Sequence, residues 1–196
     1  MPTEFRNEPL TDFSKEENAA AMRAAIDSVR TQLGQEYPLV IGGERILTEG
    51  KLDSFNPANR TELVGKFQKA TKELANRAVE IAYETFSTWR NTPPDERAQL
   101  LFRVAELLRA RKHEMSAWMV HEVAKSWPEA DGDTAEAIDF LEFYGREMLR
   151  YAEPQPLTRL PGEDNHLEYI PLGVGAVIPP WNFPLAIMAG MTAAAV

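Results

Sequence analysis

The fold is decided by a stretch close to the end of the sequence, Tyr169-Ile170-Pro171-Leu172-Gly173-Val174-Gly175-Ala176-Val177-Ile178-Pro179-Pro180-Trp181-Asn182-Phe183-Pro184-Leu185-Ala186-Ile187. Val174 to Ile178 is a short apolar run with β-branched residues, which predicts a strand. Pro179 and Pro180 cannot continue that strand, and Pro184 suits the first turn of a helix. The stretch therefore predicts a strand, a rigid turn and a helix.

The turn carries the candidate functional side chains. In an open α/β sheet, ligands bind in the crevice at the carboxyl ends of the strands. Trp181, Asn182 and Phe183 are therefore expected to face a site, and Asn182 is the one among them with amide donors.

These residues resemble a known signature. Residues 180–184, Pro-Trp-Asn-Phe-Pro, preceded by 171–174, Pro-Leu-Gly-Val, are similar to the motif that precedes the first cofactor-binding helix in the aldehyde dehydrogenase superfamily. Residues 5–9 with Asp12-Phe13, and residues 136–140, narrow the resemblance to the 1-pyrroline-5-carboxylate (glutamate-semialdehyde) dehydrogenases. The resemblance covers essentially the whole chain.

The resemblance implies an α/β fold with a partial Rossmann-type cofactor domain, amino-terminal helices and a projecting oligomerisation β-hairpin. Residues 1–36 are expected to form an arm and a helix, and residues 37–153 with 171–196 part of an NAD-binding domain. Residues 154–170 are predicted to form the hairpin, because a strong turn at 161–165 separates two extended arms. The resemblance also implies that the catalytic domain lies outside this chain, and that the protein is a homo-oligomer.

The implied reaction is NAD-dependent oxidation of L-glutamate γ-semialdehyde to L-glutamate. In the family it proceeds by cysteine attack on the carbonyl, hydride transfer and hydrolysis of the thioester. Asn182 resembles the side-chain half of the oxyanion hole that stabilises the charged carbonyl oxygen. Its structural alternative is a helix N-cap asparagine.

Other residues of the turn and one helix residue are implied to bind cofactor or substrate. Phe183 would enclose the aldehyde chain, and Glu136, on the helix predicted from about 133 to 151, would lie near the aldehyde pocket. The alternative for Glu136 is a position at an amphipathic helix boundary. The residues implied to border NAD are Ile178, Pro179, Pro180, Trp181 and Asn182, with packing of a buried turn as their alternative role.

The sequence lacks part of the machinery that the resemblance implies. It contains no cysteine, so it supplies no thiolate nucleophile. Family members are more than twice as long, and the last residues continue an apolar helical pattern, so we expect the chain to be cut. Two alternatives stay open: a dehydrogenase acting on another aldehyde, and a non-catalytic fold or oligomer-forming fragment.

Charge and composition argue against several classes. A formal net charge of -9 and a sequence pI near 4.9 disfavour nucleic-acid binding, which needs concentrated positive charge. No apolar run approaches the ~20 residues of a membrane span, so a cytoplasmic protein without membrane contact is expected. His113 and His121 lack the spacing of a metal-binding pair, and we predict structural or surface roles for them and no metal site.

Local patterns predict the remaining elements. Ser14 and Glu17 suit a capping box before a helix, strands are expected at 39–41, 45–47 and 63–67, and helices follow through the middle of the chain. The apolar spacing from Ala75 to Trp89 predicts a helix with one buried face.

The chain departs from the resembled family at one position. Relatives usually carry glycine before Lys125, where this chain has Ala124. Alanine would be strained there if the position needs a positive φ.

Overall fold

The computed structural model describes residues 3–196. Its helices are α1 (Glu16–Arg30), α2 (Lys72–Trp89), α3 (Pro94–Ala110), α4 (Lys112–Val123), α5 (Trp127–Ala152) and α6 (Ala186–Ala195). Its strands are β1 (Gln35–Tyr37), β2 (Leu39–Ile41), β3 (Glu44–Ile46), β4 (Lys51–Asn56) and β5 (Asn59–Gln68). The predicted α/β class is confirmed.

Helix α5 is the centre of the helical part. It begins after Ser126, whose backbone N–H and hydroxyl both donate to the Glu129 carboxylate (3.0 and 2.7 Å), in the manner of a capping box. Helices α3, α4 and α6 all pack against it. The core between α3, α5 and α6 consists of Leu101, Ala105, Ile138, Leu141 and Ala193.

The amino-terminal arm packs on its own domain, along α5. Two aspartates of α5 hold it: the Asp131 carboxylate accepts hydrogen bonds from the backbone N–H and hydroxyl of Thr11 (2.8 and 2.6 Å), and Asp139 accepts one from the Glu8 N–H (2.6 Å). Phe5 stacks edge-on against Phe143. The arm is therefore ordered by buried or half-buried carboxylates rather than by secondary structure of its own.

Two small sheets lie beside the helices. β5 is the central strand of the first sheet, parallel to β1 and antiparallel to β4. β2 and β3 form a separate antiparallel hairpin around Gly42 and Gly43, both of which have positive φ. The strands predicted at 39–41, 45–47 and 63–67 are thus confirmed, the second of them one residue earlier than expected.

The predicted capping box of α1 is wrong. The N-cap of α1 is Lys15, which has no side-chain cap, and the Ser14 hydroxyl donates instead to Asp12 (2.6 Å). A short-range partner two residues away competes successfully with the helix N–H groups, as is usual for serine and aspartate in turns.

The buried face predicted for α2 is also wrong in part. No residue of α2 is fully buried, and Val79 and Tyr83 are largely exposed. Among residues 3–196, α2 packs mainly on the β2–β3 hairpin, where Ile81 approaches Gly42. A helix buries an apolar stripe only where a second element covers it, and the described residues cover α2 on one side alone.

The strand predicted at 174–178 and the paired arms of the hairpin at 154–170 are absent in this structure. Residues 153–180 contain a turn and no strand. The turn itself is where the sequence places it: Glu163 N–H donates to the Leu160 carbonyl oxygen (3.2 Å) and Gly162 has φ 82°, the geometry of a type II Pro-Gly turn. A strand needs a hydrogen-bonded neighbour, and among residues 3–196 no strand pairs with either segment.

Candidate active-site turn

The predicted turn lies at residues 181–185, directly before α6. The regular helix begins at Ala186, two residues after Pro184, but the Ile187 N–H already donates to the Phe183 carbonyl oxygen (3.3 Å). The bonding is therefore α-helical across Pro184, as expected for a proline in a first turn.

The Asn182 side chain is exposed and does not cap α6. The N-cap residue is Leu185, and no side-chain cap bond is formed there. Within residues 3–196 the amide of Asn182 has no hydrogen-bond partner, so its donors are available to a ligand. The structure thus contradicts the alternative role of Asn182 as a helix cap. Its role as an oxyanion donor remains a prediction.

Phe183 is held by a lysine from the short connection between α4 and α5. The Lys125 ammonium lies 4.1 Å from the centroid of the Phe183 ring, a cation–π contact. The same ammonium donates to the Asp133 carboxylate at 2.6 Å. The other oxygen of Asp133 accepts from the Ala186 N–H at 2.7 Å, at the start of α6.

The residues predicted to border NAD do not form a buried turn. Ile178 and Trp181 are each 82% exposed, Pro180 is exposed, and Pro179 is half-buried. The alternative role of these residues, packing within a buried turn, is therefore wrong. Their free apolar surfaces fit the faces of a planar ring, whereas residues 171–196 carry no charged side chain for the phosphates of a dinucleotide. This segment can thus hold the ring part of such a cofactor, and its phosphates need other residues.

Glu136 is exposed on α5 and forms no hydrogen bond or ion pair within residues 3–196. It lies one turn after Asp133, which contacts Ala186, and one turn before Phe140, which packs against Gly190. Glu136 therefore lies on the side of α5 that faces α6, with a free carboxylate. The structure does not bring it into contact with Asn182 or Phe183.

Sequence reasoning missed Lys125 and Asp133. A signal for Lys125 existed in the residue before it: Ala124 is in the left-handed region (φ 55°), so the chain reverses direction at the end of α4 and carries Lys125 towards α5. Asp133 had no local signal, because an aspartate in the second turn of a helix usually faces solvent. Its burial, with a fully inaccessible side chain, is a tertiary feature.

His121 has a structural role. It is 4% exposed, its Nδ1 lies 3.1 Å from Glu62 Oε2, and its Nε2 lies 3.4 Å from the Ile26 carbonyl oxygen. Hydrogen bonds from Asn56 and His121 lower the pKa of Glu62.

Within residues 3–196, no group of three or more acidic, cysteine or histidine side chains could hold a metal ion. None of the helices in this part of the chain has the length and apolar character of a membrane span.

The sequence motif, the α/β architecture and the free amide at the helix-entry turn together define an aldehyde-dehydrogenase-like class of protein. The chain belongs to the aldehyde dehydrogenase family, whose family model matches residues 47–196. The resemblance inferred from the motif is therefore confirmed.

Two similar relatives carry the same name. The chain is 58% identical over 194 residues to the 1-pyrroline-5-carboxylate dehydrogenase of Geobacillus kaustophilus, covering 99% of this chain and 38% of that protein. It is 56% identical over 195 residues to the protein of the same name from Geobacillus thermodenitrificans, covering 100% of this chain and 38% of that protein. The chain thus spans 38% of the length of these curated relatives.

Solved structures agree on the fold. The structure of 1-pyrroline-5-carboxylate dehydrogenase from Thermus with bound NAD matches with a TM-score of 0.93 at 48% identity, over 98% of this chain and 37% of that one. The Mycobacterium tuberculosis Delta-pyrroline-5-carboxylate dehydrogenase bound with NAD matches with a TM-score of 0.78 at 30% identity, over 88% and 32%.

Proposed function

We propose that the protein carrying this chain oxidises L-glutamate γ-semialdehyde, the open form of 1-pyrroline-5-carboxylate, to L-glutamate with NAD. The observation that carries the proposal is the exposed, unbonded amide of Asn182 in a turn fixed at the start of α6. The shared name of relatives at 56% and 58% identity supports the choice of substrate.

Asn182 would donate to the aldehyde oxygen when a nucleophile attacks the carbonyl carbon. Negative charge then develops on that oxygen, and a donor already in position stabilises it without reorganisation. The nucleophile has to come from outside this chain, which contains no cysteine. Bound NAD would supply the acceptor for the hydride that leaves the carbon being oxidised.

Three further residue roles belong to the proposal. Ile178 and Trp181, with the two prolines between them, would lie against the ring part of NAD. Residues 37–153 and 171–196 would then form part of an NAD-binding domain. Phe183, 39% exposed, would enclose the aliphatic chain of the substrate. Glu136 would influence which semialdehyde is accepted, through its free negative charge.

The proposal includes a cytoplasmic homo-oligomer that assembles through residues 154–170. This segment exposes five large apolar side chains, of which Tyr169 also contacts the ring of Tyr151. They are Leu157, Leu160, Leu167, Tyr169 and Ile170. Exposed apolar patches of this kind are typical of interaction surfaces. Light scattering of the full-length protein, with and without this segment, tests the assembly.

The deciding experiment is an assay of the full-length protein with NAD and two substrates, 1-pyrroline-5-carboxylate and a simple aliphatic aldehyde. The proposal expects a far higher kcat/KM on the first. Equal values on both would favour a dehydrogenase of other specificity, and no turnover of either would favour the non-catalytic alternative.

A Glu136→Ala variant in the same assay tests the specificity role. We expect altered preference among semialdehydes of different chain length. Identical kinetics on all of them would remove Glu136 from the site.

A further inference from the structure

Asp133 links three parts of the molecule through one buried carboxylate. Its side chain has no solvent exposure. One oxygen accepts from the Ala186 N–H of α6 (2.7 Å), and the other accepts from the Lys125 ammonium (2.6 Å). Both oxygens are thus bonded, and the negative charge is balanced by the ammonium and by the amino terminus of α6.

Lys125 continues the link to the turn. Its ammonium lies 4.1 Å from the centre of the ring of Phe183, the residue that directly follows Asn182. We call the Lys125–Asp133 pair the turn clamp. Asp133, the end of the clamp on α5, contacts Ala186 after the turn, and Lys125, the other end, contacts Phe183 within it.

Little else fixes the turn by directional contacts. Within residues 3–196, the bond from Ala186 to Asp133 is the one hydrogen bond that joins residues 171–190 to any earlier residue. The remaining contacts of α6 are apolar, through Gly190 against Phe140 and through Ala193 in the core, apart from the Trp89 indole N–H, which donates to the Val196 carbonyl oxygen at the far end of the helix (3.2 Å). Apolar contacts hold the helix on α5 but are not directional, so they do not set the orientation of the turn.

We propose that Asp133 is a positioning residue, which acts through the turn clamp to fix the direction of the Asn182 amide. The inference rests on the proposed role of Asn182. A buried carboxylate, distant in sequence from the turn, thus sets the geometry on which an oxyanion donor depends. A donor displaced by about 1 Å loses much of its effect on rate.

A neighbouring aspartate supplies a matched control. Asp131, also on α5, is 1% exposed and likewise accepts from a backbone N–H, that of Thr11, and from a lysine, Lys112 at 3.1 Å. It holds the amino-terminal arm and has no contact with the turn. Removing either carboxylate leaves a mostly buried ammonium without its charged partner, so both variants should lose stability. Lys112 keeps its bond to the Pro9 carbonyl oxygen (2.7 Å), so turnover and exchange are compared alongside the measured stability of each variant.

The experiment compares Asp133→Ala and Asp131→Ala in the full-length protein, with Asp133→Asn as a milder variant if the first fails to fold. Hydrogen exchange by mass spectrometry follows peptides covering residues 181–190, with peptides of α3 reporting that the core stays folded. Turnover and KM are measured with 1-pyrroline-5-carboxylate and NAD. A Lys125→Arg variant, which keeps the positive charge, tests rescue.

For the Asp133 variant we expect exchange of the Ala186 amide to rise at least ~10-fold, the worth of one hydrogen bond to a charged acceptor. The value of kcat should fall at least about 10-fold below that of the Asp131 variant, with KM changed far less. Lys125→Arg should keep most of the turnover. Equal kcat losses in the two aspartate variants, or unchanged exchange near residue 186, would overturn the proposal.

The two hypotheses fail separately. An unsubstituted protein without turnover would remove the proposed function, and the exchange measurement alone would then decide whether the clamp fixes the turn.

Discussion

The backbone of Ala124 offers the sharpest stability test in this chain. Ala124 ends α4 with φ 55° and ψ 34°, in the left-handed region, and its side chain is exposed. For an L-residue with a Cβ atom this conformation costs about 1–2 kcal/mol. Glycine has no such cost and is the residue usually found at this helix end.

An Ala124→Gly substitution should therefore stabilise the protein. The relief of strain is offset by the greater freedom of glycine in the unfolded chain, which costs about 0.4–1 kcal/mol. The net gain is about 0.5–1 kcal/mol, which corresponds to a rise in Tm of about 1–4 °C for a protein of this size. Urea unfolding, followed by circular dichroism, measures the change in free energy directly.

The matched control is Ala82→Gly, the same chemical change at an exposed position within α2. An ordinary helix position loses about 1 kcal/mol on this change. The two variants should shift the urea midpoint in opposite directions. If Ala124→Gly destabilises the protein as Ala82→Gly does, the left-handed conformation at Ala124 is not the native one and the reasoning fails.

Two other substitutions, and a control for the second, test burial. Burial raises the pKa of Glu122 above its ordinary 4.5. The folded state therefore loses stability as the pH rises through the folded-state pKa, and Glu122→Gln should stabilise the protein at neutral pH. A gain in stability that persists below pH 4.5 in unfolding experiments would contradict burial of the charge as its cause. A Cβ added at Gly190 would lie 2.7 Å from Phe140, so Gly190→Ala should cost about 1–3 kcal/mol. Gly132→Ala, also in a helix but with no atom within 4 Å of the added carbon, should instead gain up to about 1 kcal/mol; the same sign for both would refute the packing argument.

The sequence predicted best what depends on near neighbours along the chain. The helices from α1 to α5 follow from apolar spacing, although α5 begins at Trp127 and not near residue 133 as predicted. The β2–β3 hairpin follows from two glycines between short apolar runs, because this signal is also local. The helix-entry turn at Trp181 to Phe183 was predicted for the same reason, since prolines on either side restrict the backbone.

The errors concern features that need a distant partner. The apolar run at 174–178 predicted a strand, but within residues 3–196 no strand lies beside it. Val79 on α2 has the spacing of a buried face and remains 58% exposed, because no described element covers it. Asp133 became a central residue only through contacts with Lys125 and Ala186, which no local pattern encodes.

The role of Asn182 is the central claim, and turnover of an Asn182→Ala variant of the full-length protein tests it most directly. The account predicts a fall in kcat of roughly 10²–10³-fold with 1-pyrroline-5-carboxylate, because one oxyanion donor is lost. Binding of NAD, measured by calorimetry, should stay near normal, since the surfaces of Ile178 and Trp181 that we propose lie against the NAD ring are unchanged. Turnover equal to that of the unsubstituted protein would contradict the account.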